Sequence, residues 1–179
     1  MNDLSDLALS IPDLALSVRQ PWAWAIVMGF KDIENRSVFS ITKGSLNRRG
    51  RFAIHAAKGM TRSEYLDGYE MMRGIGIALP PPGALVRGAI VGAVEITDCV
   101  KQSDSPWFFG PRGLVLRNAM RLGAPVPSVG QLGFFNWKPS GGEIAAPAKW
   151  MTARSDDVAP VRAPRAAAPV DDLFNQGGE

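Results

Sequence analysis

A stretch of 40 residues near the N-terminus gathers side chains that can bind an anion and a flat ring. It holds Arg19, Gln20 and Trp22, then Lys31, Glu34 and Arg36, then Arg49, Arg51, His55 and Lys58. Arginine and lysine grip phosphate oxygens, amides and carboxylates hydrogen-bond base edges, and an indole stacks on a base. Gln20 offers both amide donors and an acceptor, and stacking on Trp22 would be worth about 1–3 kcal/mol per base. On this reading Lys31 and Arg36 hold phosphate or a base carbonyl. Gln20 and Glu34 meet a base edge, Trp22 stacks, and Arg48, Arg49, Arg51 and Lys58 follow the backbone. The same residues allow a second chemistry. Lys31, desolvated in a cleft, could lose its proton near neutral pH and act as base or nucleophile, with Glu34 as catalytic proton shuttle. Each residue also has a plain structural role. Trp22 or Trp24 can fill a core, Glu34 and Arg36 share a strand face and can simply pair, Lys31 can complement a helix end, and His55 can be a packed strand histidine.

Charge supports an anion-binding face. The chain carries a net +3, but residues 31–62 hold eight basic residues against Asp32 and Glu34, a local +6. The excess is therefore concentrated. One cysteine, Cys99, excludes an internal disulfide, and one histidine, His55, excludes a His-rich metal site; together they cannot complete a four-ligand N/S zinc site. No metal and no cofactor is expected. No Walker A, G-x-S-x-G or H-E-x-x-H sequence occurs. Gly74-Ile75-Gly76 follows a helix rather than a strand, so it reads as a helix end rather than a dinucleotide loop.

The elements that must position these residues can be read from pattern. At 179 residues with 46% hydrophobic side chains, the chain suits one folded domain. Residues 1–12 read as a short leader, 13–152 as the domain, and 153–179, rich in Ala, Pro and Asp, as a disordered tail. Within that tail Asp171 to Phe174 form an acidic-apolar patch that could dock a protein partner; the alternative is an ordinary tail with two stray apolar residues. The longest apolar run, Trp22 to Phe30, is too short to span a membrane, where about 20 residues are needed. With no targeting segment, the expected location is the cytoplasm.

Leu14 to Val18 predicts a strand. Gln20-Pro21 opens a short helix that Gly29 ends, its first turn offering unpaired N–H groups to an anion. Lys31 to Phe39 predicts a second strand, followed by a polar loop over 40–49. Arg51 to Ala56 predicts a third, alternating Phe52, Ile54 and Ala56 against Arg51, Ala53 and His55. Thr61 to Glu64 is a capping box that starts a helix ending at Gly74 and Gly76. Arg87 to Val100, Arg112 to Leu122 and Gln131 to Trp137 predict three more strands, the last two joined by a Pro125-Val126-Pro127 loop. Many strands with two or three short helices indicate an α+β domain closed or half-closed into a barrel.

The run Leu16-Ser17-Val18-Arg19-Gln20-Pro21-Trp22-Ala23, with Gly29-x-Lys31-x-x-Glu34-x-Arg36 after it, resembles the ASCH domain of the PUA-like superfamily. Arg49-Gly50-Arg51 leading to Ile54-His55-Ala56, the strand 88–92, Gly113 to Leu116, and Pro127-Ser128-Val129-Gly130 before Gly133 to Trp137 resemble it too. The resemblance covers about residues 14–138. It implies a PUA-like small β-barrel with a cleft beside the first helix, and binding of RNA or DNA, or of a modified base turned out into the cleft. One branch of the family removes acetyl from acetylcytidine. It uses a lysine at the place of Lys31, a threonine where this chain has Glu34, and a further carboxylate for which Glu95 is the only guess. The chain's departure at position 34 removes that hydroxyl.

Three functions follow as expectations. The leading one is a module that binds nucleic acid, single-stranded or with a modified base, in a basic cleft. The second is a hydrolase, an amidohydrolase on a modified nucleoside such as acetylcytidine. The third is an adaptor that docks partners through its tail.

Overall fold

The computed structural model describes residues 11–42, 48–138 and 141–152. Six strands form one sheet: β1 (Leu14–Val18), β2 (Ile33–Arg36), β3 (Gly50–Ala56), β4 (Ala89–Val100), β5 (Arg112–Pro127) and β6 (Phe134–Asn136). Their order is β2-β5-β4-β3-β1-β6. Only β1 and β3 run parallel, with Ser17 opposite His55; the other neighbours are antiparallel. Three helices, α1 (Trp22–Val27), α2 (Val38–Thr42) and α3 (Arg62–Gly74), complete the α+β architecture.

Alternation sorts the strand side chains into two cores. Leu16 and Val18 of β1 join Phe52, Ile54 and Ala56 of β3, Val94 and Ile96 of β4, and Ala23, Ile26 and Val27 of α1 on the concave side. Ala15, Ala53, Ile90 and Ala93 face the other way, against Phe135, Trp137 and Ile11. β3 is thus covered on both faces, and of its expected outward side chains only Arg51 is exposed. The sheet curls until its margins meet: Arg36 on the β2 edge donates from Nη2 to the Ser17 carbonyl of β1 at 3.1 Å. The result is a half-barrel filled by α1. The helix stops where the sequence indicated, with Gly29 at a φ of 78° that other residues rarely adopt.

Three expectations need correction. The strand expected to reach Phe39 ends at Arg36, because Ser37 caps a new helix: its Oγ accepts from the Ser40 amide at 3.1 Å. Residues 43–47 of the expected loop lie outside the described residues. β5 is a single strand through Pro127, so the Pro125–Pro127 segment is its end and not a loop. The strand expected over 131–137 shrinks to β6, which pairs with β1. The first described residues are packed as well. Ile11 is 2% exposed, and Trp137 Nε1 donates to the Pro12 carbonyl at 2.7 Å. Residues 1–10 and 153–179, with Asp171 to Phe174, lie outside the described residues.

The capping box on α3 is present in both directions, between Thr61 and Glu64. Thr61→Ala is expected to cost about 1 kcal/mol. Thermal melts should show a drop of a few degrees; an unchanged melt would mean that the α3 start is held by its other contacts.

Candidate functional site

A buried charge relay lies where the sheet margins meet. Lys31, 5% exposed, follows α1 and turns inward. Its ammonium donates to the Ile33 carbonyl and to Glu34 Oε2, the latter at 3.0 Å. It also sits 5.8 Å from the centre of the Trp107 ring, within reach of a cation–π attraction. The other Glu34 oxygen meets Arg36 Nη2 at 3.2 Å. Glu34 and Arg36 are two apart in β2, so they share a face and pair. Burial alone would push the Glu34 carboxyl up. The charges of Lys31 and Arg36 and the Lys31 hydrogen bond outweigh it and hold the group below its ordinary range. Arg36 Nε is buried and has no hydrogen-bond partner among the described residues.

Ser17 links this relay to a second one. Its carbonyl receives Arg36, and its Oγ lies 3.0 Å from His55 Nδ1. His55 Nε2 lies 3.0 Å from the Ser128 carbonyl. A carbonyl only accepts, so Nε2 carries the proton, and Nδ1 accepts from the Ser17 hydroxyl. Burial presses the His55 pKa down, the Ser128 contact partly opposes this, and the Lys58 charge adds to the depression. The ring is therefore neutral at pH 7. The 128–132 segment lies against it, and a cavity of about 390 Å³ opens between Ser17, His55, Lys58 and Val129 to Leu132. Leu132 is fully exposed at its rim. A Cβ at Gly130 would stand 2.3 Å from His55 Cε1, so only glycine fits. Gly130→Ala is expected to displace the ring or the loop, at about 1–3 kcal/mol. A shift of the single histidine's NMR resonances would register it; unchanged spectra would show that the contact yields without effect.

Several expected contacts are spent on the fold. Gln20 is 2% exposed; Nε2 donates to the Val86 carbonyl at 2.7 Å, and Oε1 accepts from the Trp24 amide at 2.9 Å. It caps α1 rather than reading a base. Arg19 makes a two-point ion pair with Glu64 at the α3 start, Nη2 to Oε2 at 2.7 Å. Trp22 is half-buried, edge-on to Trp107 with ring centres 6.3 Å apart. Trp24, also half-buried, packs on Phe30. Arg48, Arg49 and Arg51 are exposed at the start of β3, Arg49 pairing with Asp98 at 3.2 Å and Arg51 opposite Glu95. Lys58 is exposed beyond the other end, beside His55. The structure thus gathers Lys31, Glu34, Arg36 and His55, and leaves Arg48, Arg49 and Arg51 about 10 Å or more along β3 from His55. Glu95 accepts from Asn118 Nδ2 at 2.6 Å, with no contact to Lys31. The sequence reading missed Ser17, Ser128 and Trp107. A Ser-x-Arg-Gln run beside a strand histidine carries no signal of their pairing without the parallel register.

Among the described residues no group of three or more His, Cys, Asp or Glu could hold a metal ion. No described helix is long and apolar enough to cross a membrane. The ASCH domain model matches residues 16–114. Activating signal cointegrator 1 from Homo sapiens is 31% identical over 120 residues, a match that covers 57% of this chain and 20% of the human protein.

Proposed function

The chain belongs to the ASCH domain family, and from that premise we propose that it is a nucleic-acid binding module of PUA-like build. The observation that carries the reading is the set of exposed cations at the two ends of β3. Arg48, Arg49 and Arg51 stand at its start and Lys58 beyond its end, beside the cavity over His55. The strand's seven residues span about 20 Å and Phe52 to Ala56 are buried, so a single strand would meet phosphate contacts at the two ends of β3. Arg36, its Nε buried and unmatched, lies behind the His55 end, where it holds the Ser17 carbonyl. Lys31 and Glu34 fix its position rather than touch the ligand.

Fluorescence anisotropy with short single- and double-stranded RNA and DNA tests the proposal. If four phosphates are neutralised, log affinity should fall against log salt with a slope of about −3 for a single strand. Arg48→Ala/Arg51→Ala/Lys58→Ala should flatten the slope by about 2, without changing the melting temperature, because all three side chains are exposed. Binding that ignores salt would overturn the reading.

The hydrolase built on Lys31 and Glu34 draws less support. The Lys31 ammonium already donates to a carbonyl and a carboxylate, and Glu34 is held ionised between two cations. A catalytic role for either residue would require breaking that buried pairing. Docking through Asp171 to Phe174 rests on the sequence alone.

A further inference from the structure

The cavity over His55 contains a group that nucleic-acid binding leaves unused. Ser17 lines it and is only half-buried. Its hydroxyl donates to His55 Nδ1, and the Ser128 carbonyl fixes the opposite ring nitrogen. A hydroxyl within reach of a neutral imidazole that a third group orients is the arrangement that activates a nucleophile. We propose that Ser17 and His55 form a nucleophile–base pair, and that the cavity accepts a small ester or thioester carrying an anionic group.

The parts divide the work as follows. At about 390 Å³ the cavity is in the size range of small-ligand sites. Lys58 at its wall supplies the positive charge for the anionic group, and Val129 and Leu132 offer apolar surface to the remainder. Ser17 Oγ attacks the acyl carbon while its proton passes to His55 Nδ1. The tetrahedral adduct collapses, the bond to the leaving alkoxide or thiolate breaks, and that group takes the proton from Nδ1. Water then attacks the acyl-serine, gives a proton to Nδ1, and the proton returns to Ser17 Oγ as the carboxylic acid leaves. No oxidant or further reactant is needed. The ring is steadied by a carbonyl and not by a carboxylate, so the imidazolium that forms in each step gains less stabilisation than in an Asp-supported triad. Esters and thioesters, whose leaving groups depart readily, therefore fit better than amides. Gly130, with no side chain, leaves the ring the space it occupies.

The inference does not depend on nucleic-acid binding, and the experiment reads neither affinity nor salt. The full chain is treated with a fluorophosphonate, and the adduct is located by mass spectrometry of the digest. p-Nitrophenyl esters with and without a carboxylate on the acyl chain give the turnover. The expected result is an adduct on Ser17, formed at least a hundredfold more slowly in His55→Gln, whose melting temperature is measured alongside. Lys58→Ala should raise KM for the anionic ester more than for the neutral one. If His55→Gln does not fold, the pH profile of the parent decides. The adduct rate should rise once with pH, at a value below that of free histidine, and then stay level. No adduct on Ser17 in the folded parent would overturn the proposal. So would an adduct formed as fast in folded His55→Gln, or a rate without that single rise.

Discussion

Glu34→Ala is expected to cost the fold about 3–5 kcal/mol and to lower the melting temperature by about 10 °C or more. The carboxylate joins Lys31 at 3.0 Å and Arg36 at 3.2 Å. Lys31 is almost fully buried. Removing the anion leaves one buried ammonium and one largely buried guanidinium without a counter-charge, which is the costly direction in which to break an ion pair. Glu34→Gln keeps an acceptor for Lys31 and should fall between the two. Removing cation and anion together, as Lys31→Met/Glu34→Leu, should cost less than the sum of the single changes. The sign of the pH dependence follows from the pairing. The folded carboxyl titrates below its ordinary value, so this contribution is complete above about pH 4.5. It is lost as pH falls through the folded value. The gap between parent and Glu34→Gln should therefore narrow from pH 7 to pH 3 in denaturant titrations. A gap that stays constant would show that the charge on Glu34 contributes nothing. The same variants bear on function. Arg36 is aimed at the Ser17 carbonyl partly by Glu34, so loss of Glu34 should loosen the sheet closure beside His55.

What was legible in the sequence was local. The apolar run Leu14 to Val18, the glycine stop at Gly29 and the Thr61–Glu64 box each depend on neighbours within a few residues, and each is present. The α+β class followed from the count and spacing of such signals. The turn from β2 into α2 did not show. Val38, Phe39 and Ile41 look like strand residues, and the deciding feature is a single serine that offers its hydroxyl to the Ser40 amide. The end of β5 misled for the opposite reason: Pro125 and Pro127 are turn formers in isolation, and a strand's end tolerates them. In the site, the spacing of Lys31, Glu34 and Arg36 was informative because a strand brings alternate residues together. The Ser17–His55–Ser128 relay was invisible because it needs three long-range facts: the parallel register of β1 and β3, the return of β6 beside β1, and the docking of the 128–132 segment. The basic count also overstated convergence. Lys31 and Arg36 share Glu34, which the local +6 already counts, Arg49 meets Asp98 from outside the stretch, and the arginines at the start of β3 stand away from His55.

Gln20 separates a fold residue from a ligand residue most sharply. Gln20→Leu is expected to cost about 2–4 kcal/mol, because it strands two buried partners at about 1–3 kcal/mol each, less the gain from a buried apolar side chain. One is the Trp24 amide, a helix-start N–H whose bond goes to Gln20 Oε1; the other is the Val86 carbonyl. α1 has only six residues, so a lost cap affects a large part of it, and Ala23, Ile26 and Val27 carry that disturbance into the concave core. Gln20→Glu is the informative companion. It keeps an oxygen for the Trp24 amide and turns the other against the Val86 carbonyl, so it should be as damaging as leucine at neutral pH and recover part of the loss in acid, where the carboxyl gains a proton. A residue that read a base edge would behave differently: its replacement would leave the melt unchanged and weaken binding. Denaturant titration beside anisotropy, with affinity expressed per folded molecule, distinguishes the two. Unaltered stability with lost binding would return Gln20 to the ligand. Lost stability with binding intact in the folded fraction would place it among the residues that build the cleft, leaving recognition to the exposed cations at the ends of β3.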